Sequence, residues 1–171
     1  MHFPWLLAAA LAVAAPPPAP APAAPCSAGS YHVLDFWIGH WQVRDATGGA
    51  AGESLVEPVA DGCGLLERWN GAPGPQGRRF LGVGLHLFDP KAGLWLQTWT
   101  DNRPGVTLMQ GTSGAQGFVY TWEIVDPQGK KVAKRYTLEK TAAGVRQLGE
   151  SSRDSGATWS VDFDLLYTPA P

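Results

Sequence analysis

From Phe36 onward the chain alternates between runs rich in aliphatic, β-branched and aromatic residues and short clusters of Gly, Asp, Asn and Pro. The clusters recur at intervals of roughly 8–14 residues, the rhythm of short strands joined by turns. The runs predict strands at Gly39–Arg44, Gly52–Pro58, Gly64–Asn70, Arg79–Phe88, Leu94–Asp101, Val106–Gly111, Phe118–Val125, Lys131–Leu138, Gly144–Ser151 and Thr158–Tyr167. Between them lie Ala46-Thr47-Gly48-Gly49, Asp61-Gly62, Gly71-Ala72-Pro73-Gly74, Asp89-Pro90-Lys91-Ala92-Gly93, Asn102-Arg103-Pro104-Gly105, Ser113-Gly114, Asp126-Pro127-Gln128-Gly129 and Asp154-Ser155-Gly156. These residues supply the positive φ and the local side-chain hydrogen bonds that tight turns use. Connections this short cannot carry parallel crossovers, so the strands form an antiparallel meander. Without helices to cover its edges, such a sheet is relieved of them by closure. The expected fold is therefore all-β: an antiparallel up-and-down β-barrel of about ten strands.

The N-terminal residues have a different pattern. Trp5 to Ala15 is an uninterrupted apolar run, of signal-peptide length and too short to span a bilayer. A Pro/Ala tract from Pro16 to Pro25 follows, and small-x-small sites end at Ala14 and Ala23. Residues 1–23 read as a signal peptide, 24–33 as a linker and 34–169 as the barrel. The mature chain is thus expected in the periplasm or secreted, with no transmembrane segment. The two cysteines, Cys26 and Cys63, suit a single disulfide in such a compartment. Lipidation of Cys26 is the alternative, and Pro25 directly before it is a poor lipobox residue.

Composition removes several classes of function. The 171 residues carry a net charge of −2 and only 16% charged residues, which excludes a basic nucleic-acid binder. No Cys-x-x-Cys or His pair at ligand spacing points to a metal, and no cofactor is expected. Nucleophile-elbow, zincin, Walker and Rossmann motifs are missing; Gly82-Val83-Gly84 lacks the third glycine and the following helix. Ser152-Arg153-Asp154-Ser155-Gly156-Ala157-Thr158-Trp159 matches one Asp box, which reads as a well-made hairpin turn, because a propeller would need many copies.

Leu34-Asp35-Phe36-Trp37-Ile38-Gly39-His40-Trp41-Gln42-Val43 resembles the start of a family of secreted bacterial proteins of unknown function, with an F-D-F-W-x-G-x-W-x-V signature. Gly62-Cys63-Gly64-Leu65-Leu66-Glu67-Arg68-Trp69, Phe88-Asp89-Pro90, Trp95-Leu96-Gln97-Thr98-Trp99-Thr100-Asp101 and Val145-Arg146-Gln147 continue the similarity. The resemblance implies a lipocalin-like, calycin-type barrel and no established activity. Gly39-His40-Trp41 also looks like the G-x-W that opens a lipocalin, where the Trp closes one end and a late-strand Arg stacks across it. Arg146 is the expected partner. Leu34, Trp37 and Ile38 have helical spacing and predict a short turn plugging the same end, so Trp37, Gly39 and Trp41 read as barrel-closing residues.

Alternation divides Arg79–Phe88 into an aliphatic face (Leu81, Val83, Leu85, Leu87) and an opposite face holding Phe80, His86 and Phe88. The next run places Trp95, Gln97 and Trp99 together. Either face can line the interior. We take the aromatic-polar face as inward, with His86 opposite Gln97 and Phe88 opposite Trp95, which leaves the aliphatic face for a homodimer. The expected ligand-binding set is Glu67, Trp69, His86, Trp95, Gln97, Trp99, Arg146 and Glu150, with Glu67–Arg146 and His86–Gln97 as partners. The resulting function is an exported small-molecule-binding barrel. Two alternatives stand beside it: a carbohydrate-binding or glycoside-hydrolysing protein using Trp faces with Glu and Asp, and a filled envelope module without a ligand.

Overall fold

A computed structural model describes residues 25–171. The expected signal peptide lies outside the described residues. Ten strands follow in chain order: β1 (Gly39–Asp45), β2 (Ala50–Val59), β3 (Gly64–Gly71), β4 (Leu81–Asp89), β5 (Leu94–Asp101), β6 (Val106–Gly114), β7 (Gly117–Val125), β8 (Lys131–Thr141), β9 (Gly144–Ser152) and β10 (Ser160–Pro169). Every sequential pair is antiparallel, and β1 also pairs with β10, closing an up-and-down barrel. Strand ends differ from the sequence reading by a few residues at most. The β6–β7 turn sits at Ala115-Gln116 rather than Ser113-Gly114, because Gly114 and Gly117 pair as the last rung of the ladder.

The interior divides by depth. At the end where β1 begins, the barrel is packed solid. A 3₁₀ turn at Asp35–Trp37 inserts Leu34 and Trp37, both fully buried, and Trp41 Nε1 donates to Trp37 O at 2.9 Å. Trp95 and Phe118 pack here at 6.3 Å between ring centroids. The N-terminal segment is held over this end by the Cys26–Cys63 disulfide and by Trp95 Nε1 donating to Ser30 O at 3.0 Å.

Above the plug a polar layer spans the barrel. Tyr120 of β7 reaches across to His86 Nδ1 of β4 at 2.9 Å. Tyr136 of β8 donates to Gln97 Oε1 of β5, and Tyr167 of β10 donates to Gln147 Oε1 of β9 at 2.8 Å. Beyond this layer the interior is hollow. Glycine makes room where rings cross it: a Cβ at Gly82 would overlap the indole of Trp99, and one at Gly149 would overlap Phe163.

The outer surface is less uniform. On β4, β5 and β6 it carries Leu81, Val83, Leu85, Leu87, Leu96, Val106 and Leu108 in adjacent rows, with Leu108 70% exposed. The Asp-box segment is a turn, as expected. Asp154 accepts from Thr158 N at 2.9 Å and from Thr158 Oγ1 at 2.6 Å, while Trp159 Nε1 donates to Gly156 O at 3.1 Å. Arg135 stacks on the Trp159 ring at 3.9 Å. No helix among the described residues is long and apolar enough to cross a membrane.

Candidate functional site: an aromatic cavity with a polar floor

The hollow end contains a cavity of about 440 Å³. Its walls are Trp69 from β3, Trp99 from β5, Trp122 from β7 and Phe163 and Leu165 from β10, and its floor is Glu67, Gln97, Tyr136, Gln147 and Tyr167. The strand period of two puts these side chains in one space: Glu67 and Trp69 are two residues apart, as are Gln97 and Trp99, so each strand contributes one polar floor group and one indole above it. At the rim Arg103 holds Asp101 through two hydrogen bonds, of 3.0 and 2.9 Å, and stacks on Phe80 at 4.6 Å. The Arg103 guanidinium keeps the Asp101 carboxyl down at about 2.

Glu67 is the ionisable group at the base. Ser54 Oγ donates to its Oε1 at 3.0 Å, and its Oε2 lies 4.0 Å from His86 Nε2, beyond hydrogen-bond range. Burial raises the Glu67 carboxyl to about 7, with the Ser54 bond opposing the shift. Burial likewise pushes His86 down to about 3. Both groups are therefore uncharged in mildly acidic solution, the state that a low-dielectric interior favours. Gly84 pairs with Glu67 on one side and Trp99 on the other, and its lack of a side chain leaves room for the floor: a Cβ there would stand 3.0 Å from His86 Nε2 and 3.1 Å from Gln97 Nε2, so both side chains would have to give way.

Glu67, Trp69, Gln97 and Trp99 meet in the cavity. His86 sits beneath the floor, fully buried, with Nε2 unpartnered among the described residues. It lies opposite Gln97 in register, but the two side chains do not bond to each other; each is taken by a tyrosine from the far wall. Trp95 belongs to the packed end, where it faces Phe88 at 6.1 Å. Gly39, Trp37 and Trp41 close that end, the Trp41 ring folding back to within 3.2 Å of where a Gly39 Cβ would be.

Arg146 and Glu150 lie elsewhere, contrary to expectation. On β9 the inward residues are Val145, Gln147 and Gly149, so Arg146 and Glu150 point outward. Arg146 pairs with Asp164 at 2.8 and 2.7 Å, and Glu150 accepts from Arg135 Nε at 2.8 Å. The expected Glu67–Arg146 pair and the Arg146 stack across Trp41 are accordingly not formed. The residue that reaches the interior is the neighbour, Gln147.

Sequence reasoning missed the three tyrosines, Gln147 and Trp122. Their signal was present in the alternation Phe118, Tyr120, Trp122 on β7 and in Gly149 two residues after Gln147, where a large ring crosses the strand. Comparison with protein-family models and with curated protein sequences finds no match to this chain.

Proposed function

We propose that this protein is an exported barrel that binds a small molecule in the cavity above the tyrosine layer, and that it belongs with the secreted bacterial family whose signature its Leu34–Val43 segment resembles. The observation that carries this reading is the cavity of about 440 Å³, walled by three tryptophans over a floor of oriented polar groups. Binding sites for small organic molecules have this size and this mixture of apolar wall and few polar groups. A Cys26–Cys63 disulfide supports export, since disulfides persist in oxidising compartments. The test is native mass spectrometry of the protein purified from its own cell envelope. A co-purifying mass, lost in Gln97→Leu, is expected; a mass retained unchanged in that variant would place the ligand elsewhere.

The carbohydrate reading draws on Glu67 and Asp101 lining the same cavity. Asp101 is committed to Arg103, which favours binding over hydrolysis. The filled-barrel reading draws on the plugged half of the interior, where Leu34, Trp37 and Trp95 are buried.

The outer face of β4–β6 is the second part of the proposal: it pairs with the same face of a second copy. Seven aliphatic side chains lie there in adjacent rows, each more than a third exposed, and a contiguous apolar face of this kind marks an interaction surface. Sedimentation should then show a dimer; a monomer at every concentration up to the millimolar range would remove this part.

A further inference from the structure

Given a ligand in the cavity, which rests on the binding reading above, the hydrogen-bonding character of the floor restricts its chemistry. Tyr136 and Tyr167 donate to the amide oxygens of Gln97 and Gln147. Each glutamine oxygen is thereby engaged, and each Nε2, which can only donate, has no protein partner among the described residues. Both glutamines line the cavity, and neither Nε2 is among the fully buried partnerless side-chain atoms of the described residues, which are Trp37 Nε1, His86 Nε2 and Thr141 Oγ1. Glu67 in its uncharged form adds an acid O–H, its Oε1 being occupied by Ser54. The floor therefore offers donors in excess of acceptors.

It also offers no fixed charge to an entering ion. Arg103 is neutralised by Asp101 at the rim, and His86 is uncharged beneath the floor. An anion would meet no free cation. An organic cation would be placed against two amide N–H₂ groups, and would find a counter-charge only by ionising Glu67. Transfer of an unpaired ion into such a site costs far more than transfer of a neutral dipole.

We propose that the cavity takes an uncharged molecule with an aromatic body and a carbonyl-type oxygen at its inner end, the oxygen accepting from Gln97 or Gln147 and the body lying between Trp69, Trp99 and Trp122. Offset and edge-on ring contacts hold the body, and the tyrosines hold the amides in a donating orientation before the ligand arrives.

The site's response to pH distinguishes this chemistry from a cationic ligand. The titratable groups facing Glu67 are His86 from β4, Tyr120 from β7, Tyr136 from β8 and Tyr167 from β10, with Asp101 and Arg103 at the rim. Burial raises the three tyrosines well above 10, so near neutral pH Glu67 is the group in this set that changes charge. A ligand that accepts from the floor binds best while Glu67 is protonated, and a cation binds best once it is ionised.

The experiment is calorimetric titration of the full folded protein with four probes sharing two phenyl rings on one carbon: benzophenone, diphenylmethane, benzhydrylammonium and diphenylacetate. Benzophenone should bind about tenfold more tightly than diphenylmethane, the difference one hydrogen bond makes. It should also bind more tightly than either ion. Its affinity should fall about tenfold between pH 6 and pH 8 in the unmodified protein, and remain level in Glu67→Gln. Gln97→Leu combined with Gln147→Leu should bring benzophenone to the level of diphenylmethane without weakening diphenylmethane. Equal affinity for benzophenone and diphenylmethane overturns the assigned ligand chemistry and leaves the cavity reading intact. So does tightest binding of benzhydrylammonium with affinity rising with pH. Failure of all four probes to bind at millimolar concentration overturns the cavity reading itself.

Discussion

Glu67 and His86, buried on neighbouring strands, make folding depend on pH in opposite senses. Folded Glu67 keeps its proton up to about 7, whereas the unfolded chain releases it near 4.5, so raising the pH through that range lowers stability. Folded His86 stays neutral down to about 3, whereas the unfolded chain takes a proton near 6.5, so lowering the pH through that range lowers stability. Between about 4.5 and 6.5 the two slopes cancel. Urea denaturation should therefore show a plateau there, with losses on both sides. In Glu67→Gln the alkaline loss disappears, and the stability difference between variant and parent should grow by about 3 kcal/mol from pH 4.5 to pH 8. A pH-independent difference would contradict a buried, uncharged Glu67. Gly82→Ala should cost about 1–3 kcal/mol, because the Trp99 ring occupies the place of the new methyl; thermal denaturation measures it. At this scale Glu67, Trp69, Gln97 and Trp99 were legible, since period-two alternation groups side chains on one face. Arg146 was misplaced by one residue along β9. A one-residue difference in strand phase exchanges the two faces, and the resemblance of Arg146 to the late-strand arginine of a lipocalin closing pair points to the opposite phase from Gln147 and Gly149.

Among the elements, the segment from Cys26 to Ile38 has the greatest effect relative to its length. It contains two short 3₁₀ turns, at Gly29–Tyr31 and Asp35–Trp37, neither of which would persist alone. Its order comes from burial of Leu34 and Trp37, from the edge-on contact of Tyr31 with Phe88 at 5.0 Å, and from the disulfide. The bridge closes a loop with a sequence separation of 37 residues, for which unfolded-state entropy predicts a contribution of roughly 3–4 kcal/mol. Reduction, or replacement of both cysteines by serine, should lower the denaturation midpoint accordingly and expose Trp37 and Trp95 to quenchers. An unchanged midpoint would show that packing alone holds the segment. The β9–β10 hairpin is the opposite case: Asp154, held at about 2 by Thr158 and Ser152, organises its turn locally. Asp154→Ala should disorder the turn while the cavity remains. Strands and turns were legible almost throughout, because turn chemistry and alternation are local properties.

For the molecule as a whole, the consequential feature is the division of one barrel into a packed half and a hollow half by a layer of three tyrosines. The same wall turns an aliphatic surface outward on β4–β6. Leu108→Lys lies on that surface, away from the cavity, and should leave the melting temperature within a few degrees while abolishing self-association in sedimentation. A variant dimer of unchanged strength would locate any interface elsewhere. By itself the sequence determined the all-β class, the approximate number and the order of the strands, the closing plug and the two cysteines available for a bridge, whose pairing the structure then decided. Each follows from local spacing or composition. The inward face of each strand, the meeting of Tyr136 with Gln97 and of Tyr167 with Gln147, and the depth at which packing stops were decided by the tertiary structure. Tyr136 and Gln97 are 39 positions apart on strands that do not pair, so they meet only through the curvature of the closed barrel, whereas Tyr167 and Gln147, 20 positions apart, meet diagonally on the paired strands β9 and β10, once both have their inward face fixed.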